Sequence, residues 1–175
     1  ILLRDWSSDV CSSDLDENNL KEINDYQLVL TDKQQLKGLP ASIAEAAAET
    51  AKEKGVEGWV ITLQAPSYVP FMMYADDRDL RHTLYMAYNT KCTHGNETDN
   101  KEIVKKLVNT RLQMARLLDY GNFTEYVLEE RMAQTSDNVY KLLYQLLEAY
   151  KPTALQEYAD VQALARQTAG ADFQL

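Results

Sequence analysis

Val139, Leu142, Leu143, Leu146, Leu147 and Tyr150 recur at intervals of three and four residues, the spacing that aligns side chains on one face of an α-helix. The same period holds Leu80, Leu84 and Ala87 together, with Tyr85 and Tyr88 beside them, inside a helix predicted over 76–89. Ile103, Val104, Leu107, Val108, Leu112, Ala115 and Leu118 repeat it and are expected to form one buried face. Asp99, followed three residues later by Glu102, has the form of a capping box and predicts where that helix starts. Gly121 and Asn122 close it. A shorter helix is expected over 124–132, and Thr135 or Ser136 caps the last long one. Pro152 lacks an amide proton and clashes with the preceding turn, so it is expected to kink or break that helix and leave a second piece over 154–167.

Nearer the N terminus the period shortens. Residues 27–30 and 58–63 carry Val, Leu, Trp and Ile in brief runs that favour two strands. Between them, Pro40 fits a first helical turn, 41–54 is rich in Ala and Glu, and Gly55 fits a helix stop. The pair could be parallel through that helix. Ala65-Pro66-Ser67 and Pro70 mark a turn into a short helix carrying Tyr68, Phe71 and Met72. No period of 20 to 50 residues repeats, which leaves a solenoid unsupported. The fold class is mainly α, with one or two short strands near the N-terminal end.

The first 15 residues stand apart. Asp5 to Leu15, Asp-Trp-Ser-Ser-Asp-Val-Cys-Ser-Ser-Asp-Leu, matches codon by codon one reading frame of a common sequencing adapter. Residues 1–15 are therefore read as a non-native leader, and 16–175 as one helical region cut from a longer protein. Setting the leader aside removes one Arg and three Asp, which takes the net charge from −9 to −7. An acidic balance argues against nucleic acid or an anionic membrane as partner, because both reward clustered Lys and Arg. No apolar run approaches the roughly 18 residues that span a bilayer. Cys92 is the only cysteine beyond the leader, so no disulfide framework is expected.

Candidate chemistry is sparse. Cys92-x-His94 offers two zinc ligands where a structural site needs four, and Asp79-x-x-His82 is half of a helical metal pair. Neither forms a site by itself, and H-E-x-x-H, a phosphate loop and G-x-S-x-G are all absent. Lys101, Lys105, Lys106, Arg111 and Arg116 flank an apolar helix face and are read as solvated. Tyr68, Tyr74, Tyr85 and Tyr88 cluster in sequence, either as core residues with their hydroxyls at a wet boundary or as a peptide-contacting surface.

Longer phrases carry more. From about Gln27 to Leu175, the chain contains Trp59-Val60-Ile61-Thr62-Leu63-Gln64-Ala65-Pro66-Ser67-Tyr68-Val69-Pro70-Phe71-Met72, then Arg78-Asp79-Leu80-Arg81 and Gly95-Asn96-Glu97-Thr98-Asp99-Asn100-Lys101-Glu102-Ile103. Asn109-Thr110-Arg111-Leu112, Ala115-Arg116-Leu117-Leu118 and Tyr126-Val127-Leu128-Glu129-Glu130-Arg131-Met132-Ala133 follow in order. Together these phrases resemble the thimet oligopeptidase and peptidyl-dipeptidase family of zinc metallopeptidases, most closely its bacterial peptidyl-dipeptidase branch. Leu118-Asp119-Tyr120 departs from the family's Leu-Leu-Gly-aromatic turn, which puts the capping of that helix end in question.

The resemblance implies a zincin-type oligopeptidase whose zinc, held by two His of H-E-x-x-H and a downstream Glu, activates water to cleave short peptides. It places this chain upstream of that centre, as helices that wall a narrow channel, with the missing C-terminal catalytic region packed against them. No catalytic, cofactor-binding or metal-ligating residue is assigned here, no zinc is expected on this chain alone, and whole members are expected in the cytoplasm. The rival reading is a non-catalytic helical interaction module that uses the Val139 to Tyr150 stripe.

Overall fold

A computed structural model of the chain describes residues 8–175, with side chains from Ser12 onward. In chain order the elements are α1 (Ser8–Asp25), β1 (Leu28–Leu30), a 3-10 turn (Lys33–Leu36), α2 (Ala41–Glu53), β2 (Trp59–Ile61), α3 (Ala65–Tyr74), α4 (Arg78–Asn89), α5 (Lys101–Leu117), α6 (Phe123–Leu128) and α7 (Ser136–Ala169). The protein is mainly α, as the patterning predicts. It divides into two compact units, one up to Arg111 and the other Leu112–Leu175, with the boundary inside α5.

In the first unit the two strands pair antiparallel, Leu28 opposite Ile61 and Leu30 opposite Trp59. This corrects the parallel arrangement. A parallel pair needs the connection to re-enter beside the start of β1, but β2 begins at Trp59 beside Leu30, where β1 ends. The return is made earlier, over 31–40. There Asp32 caps the 3-10 turn and Gln35 reaches back to the Asp32 amide, a reciprocal capping box that the sequence reading missed. Pro40 sits one position ahead of its expected place, its carbonyl accepting the Ile43 and Ala44 amides.

The core of this unit comprises Leu30, Ala47, Ile61, Leu63, Phe71, Ala75 and Leu84, with Ile23, Tyr26, Trp59, Tyr68, Leu80 and Ala87 packed around it. The predicted face of α4 is thus the buried one. Asp77 starts that helix by accepting the Asp79 and Leu80 amides, and the Arg81 guanidinium donates to the Ala75 carbonyl at the end of α3.

The start of α5 departs from the expected capping box. The Asp99 carboxylate accepts the Gly95 amide at 2.6 Å and the Lys101 amide at 2.9 Å, while Glu102 turns outward to Lys105. The expected stripe on α5 is also narrower than its periodicity: Leu107 and Ala115 are buried, but Val104, Val108 and Leu118 are exposed.

Two helices end in the same way. The Val56 amide donates to the Ala51 carbonyl and Gly55 to Lys52; the Tyr120 amide donates to Ala115 and Asp119 to Arg116. Both are Schellman ends with a left-handed residue at the turn, Gly55 at φ +68 and Asp119 at φ +66. Asp pays a steric cost there that Gly does not. Asp119→Gly is therefore expected to stabilise the Leu112–Leu175 unit by about 0.5–1 kcal/mol, the left-handed penalty of roughly 1–2 kcal/mol less the extra chain entropy that Gly loses, read as a raised thermal midpoint; an unchanged or lower midpoint would contradict this.

In the second unit Asn122 accepts the Glu125 amide at 3.0 Å, and the Glu125 carboxylate accepts the Gly121 amide, which fixes the start of α6. Thr135 caps α7, as expected. Pro152 does not break that helix, a second correction to the sequence reading. α7 runs continuously for 34 residues to Gly170, and at 100° per residue Pro152 falls on the polar side with Lys141, Gln145 and Gln156. The Glu148 carbonyl, which loses its helical donor there, lies on an exposed segment that water can satisfy. The tail folds back: buried Gln162 donates to the Phe173 carbonyl and accepts the Leu175 amide.

Candidate functional site

A network of polar side chains forms where α1 meets the loop 90–100. Cys92, at φ +57, donates its amide to Glu22 Oε2 at 2.7 Å. The buried Thr98 hydroxyl donates to Glu22 Oε1, and Asn96 Nδ2 donates to the same oxygen at 3.3 Å. Four residues earlier on α1, Asn18 Nδ2 donates to Asn100 Oδ1 at 2.8 Å, and Asn100 Nδ2 donates to the Leu15 carbonyl. The loop closes on itself through the Asn100 amide and Cys92 carbonyl. Thus the phrase Gly95-Asn96-Glu97-Thr98-Asp99-Asn100 is fastened at three points, Asn96, Thr98 and Asn100, to two side chains and a carbonyl one turn apart on α1.

Burial pushes the Glu22 carboxyl up, but the hydrogen bonds from Thr98, the Cys92 amide and Asn96, aided by nearby His94, outweigh it and hold the group below its ordinary value of 4.5. A depressed carboxylate contributes stability above 4.5 that is lost as the pH falls through the lower folded value. Glu22→Gln is expected to destabilise this unit by about 1–3 kcal/mol at neutral pH, with the deficit shrinking towards pH 3. Urea midpoints of both proteins at the two pH values check this; a deficit independent of pH would rule out the carboxylate's charge as the cause.

On the neighbouring surface the Tyr68 and Tyr88 rings stack with centroids 4.2 Å apart, and Lys91 Nζ lies 3.3 Å from the Tyr88 ring centroid. Burial, then the nearby Tyr88 and Tyr85 hydroxyls, push the Tyr68 phenol up, while burial lowers the Lys91 ammonium. Tyr74, Tyr85 and Tyr88 are substantially exposed, as are Val69, Met73 and Met86. Tyr68 packs against the core, as the first reading of the tyrosines expects, and Tyr74, Tyr85 and Tyr88 present aromatic surface.

The residues weighed as metal ligands are not brought together. Cys92 is buried, its thiol pushed up by burial and then by Glu22, whereas His94 is exposed and His82 lies on the open side of α4. Among the described residues no group of three or more His, Cys, Asp or Glu is placed to hold a metal ion, so this donor set does not fit the zinc that the resemblance implies. The basic residues of α5 are engaged in part: Lys101 with Asp99 and the Thr93 carbonyl, and Lys105 with Glu102 at 2.7 Å. No described helix is long and apolar enough to cross a membrane.

In the second unit the Val139 to Tyr150 stripe is open. Leu142, Leu143, Leu146, Leu147 and Tyr150 are 41 to 67% exposed, and Tyr158, Val161 and Leu164 continue the apolar surface. Tyr120 contacts Glu129 at the edge of α6, and its ring meets Tyr126 edge-on.

Residues 71–175, three-fifths of the chain, match the pattern of peptidase family M3. Organellar oligopeptidase A, chloroplastic/mitochondrial, of Arabidopsis thaliana is 34% identical over 163 residues, which cover 89% of this chain and 20% of that protein. Oligopeptidase A of Escherichia coli is 32% identical over 148 residues, 82% of this chain and 22% of that protein. Dipeptidyl carboxypeptidase of the same organism is 30% identical over 138 residues, 78% and 20%. The chain thus spans about a fifth of the length of these curated relatives. With the family pattern running from Phe71 to Leu175 and relatives of both kinds aligned over most of its length, the chain belongs to peptidase family M3, the thimet oligopeptidase and peptidyl-dipeptidase family.

Proposed function

We propose that this chain is the channel-wall part of a zinc-dependent oligopeptidase that, when whole, releases dipeptides from the C termini of short peptides. Hydrolysis belongs to a catalytic region outside these residues, which packs against the helices described here. The single observation that carries this reading is the family match over residues 71–175 in a chain about a fifth as long as its relatives. Zinc in the parent enzyme supplies a Lewis acid and an activated water. This chain's own residues hold structure around the substrate: Glu22 and Asn18 fix the loop 90–100, and the exposed Tyr and Met side chains of α3 and α4 offer adaptable apolar contacts to unstructured peptide. The parent enzyme is assigned to the cytoplasm by analogy with the family.

Two measurements test this together. The purified chain is expected neither to cleave peptides nor to retain stoichiometric zinc, and the source DNA is expected to continue in frame past Leu175 to H-E-x-x-H. Chelator-sensitive cleavage by the pure chain would overturn the assignment of catalysis to another region. A natural stop codon directly after Leu175 would instead favour the second reading, a non-catalytic interaction module, which the exposed stripe on α7 supports.

A further inference from the structure

α1 is fastened differently from the other helices of the first unit. From Ser12 onward none of its side chains is buried, and Leu20 is 59% exposed. By contrast α2 buries Ala47 and Ala51, α3 buries Phe71 and α4 buries Leu84. Polar contacts hold α1 instead, and they fall into two groups. Near its C-terminal end Asn24 accepts hydrogen bonds from Gln64 Nε2 at 3.1 Å and Lys54 Nζ at 3.5 Å, and Ile23 packs on the core. On another face Asn18 and Glu22 reach the loop 90–100, with Lys21 3.7 Å from Glu97 beside them. Leu15 contributes only a backbone carbonyl, which any residue at that position would supply, so the clamp does not depend on the side chains of the leader.

The loop relies on this clamp throughout its length. Cys92 and Thr98 are buried, and the Cys92 amide and Thr98 hydroxyl both donate to the Glu22 carboxylate. Lifting α1 takes the acceptor from both at once, which couples the two ends of the loop. The same movement frees α5 at its start: the Asn100 side chain is bonded to Asn18 and the Leu15 carbonyl, while the Asn100 main-chain carbonyl accepts the Val104 amide in the first turn. Water replaces such hydrogen bonds on opening, so each adds only a few-fold to the closed population, whereas the buried side chains of α2 to α4 have no substitute in water.

We infer that α1 is a releasable strap: pivoting near 24–26, it parts from the loop 90–100 in one step while β1, β2 and α2 to α4 stay folded, and its closure fixes the start of α5. Native-state hydrogen exchange on the full 175-residue chain tests this. The amides of Cys92, Asn100 and residues 17–21 should exchange through one common opening, more readily than those of β1 and β2. That exchange should be insensitive to low urea, because a local opening exposes little surface. Asn18→Ala should speed exchange at Cys92, which is bonded to Glu22 rather than to Asn18, by about 3- to 10-fold and leave the β1 and β2 amides unchanged. A response confined to Asn100 would show independent contacts and overturn the inference. So would a Cys92 amide that shares the urea dependence of the strand amides, since the loop would then open only when the whole unit unfolds.

Discussion

Phe71→Ala should lower the unfolding free energy of the first unit by about 3–5 kcal/mol, the cost of a buried phenyl group and the cavity it leaves. Phe71 is fully buried on α3, and its neighbours in the core come from β1, α2, β2 and α4, so no single element can move in to fill the space. Domains are stable by only about 5–15 kcal/mol, and the variant should therefore unfold at a much lower urea concentration, with partial unfolding at 37 °C. Phe71→Leu restores most of the volume and should lose about 1–1.5 kcal/mol. Equal midpoints for the alanine variant and the parent protein would show that α3 is not the keystone of this core.

The second large effect is expected at Gly58, on the last residue before β2. Its φ is +102, and a Cβ added there would come within 2.2 Å of the Leu30 carbonyl oxygen. That contact is with backbone, which cannot swing aside without losing the pairing of Leu30 with Trp59. Gly58→Ala is expected to cost about 1–3 kcal/mol for the backbone conformation, and the steric conflict adds to this by forcing the strands apart. Gly55 provides the comparison. At φ +68 it has nothing within 4 Å of its Cβ position, so Gly55→Ala should cost only about 1 kcal/mol. Hydrogen exchange of the β1 and β2 amides separates the two: protection should collapse in the Gly58 variant and survive in the Gly55 variant. Equal losses would mean that the close approach to Leu30 is unimportant.

What could be read from the sequence, and what could not, follows the range of the forces involved. Helix ends governed by neighbours were legible: Gly55 at the end of α2 and Thr135 at the start of α7 act within one turn. The direction of strand pairing was not, because it depends on the return over 31–40, and the capping box at Asp32 is only one of several turns compatible with that composition. Asp99 misled for a similar reason. Its spacing to Glu102 fits a capping box, but its carboxylate is already occupied by the Gly95 and Lys101 amides. Pro152 was judged by its local penalty, and the 34-residue helix runs through it. As for the candidate site, its family phrases were legible, but Glu22 was not. No local pattern tells a carboxylate on α1 that its donors will arrive from residues about seventy positions later.

Cys92 gives this fold an internal clock. Its thiol is shielded, and its amide is tied to Glu22. A sulfhydryl reagent can reach it only when the segment lifts away from α1, so the rate of alkylation at this one position, resolved by peptide mapping, times that local opening without a label or a mutation.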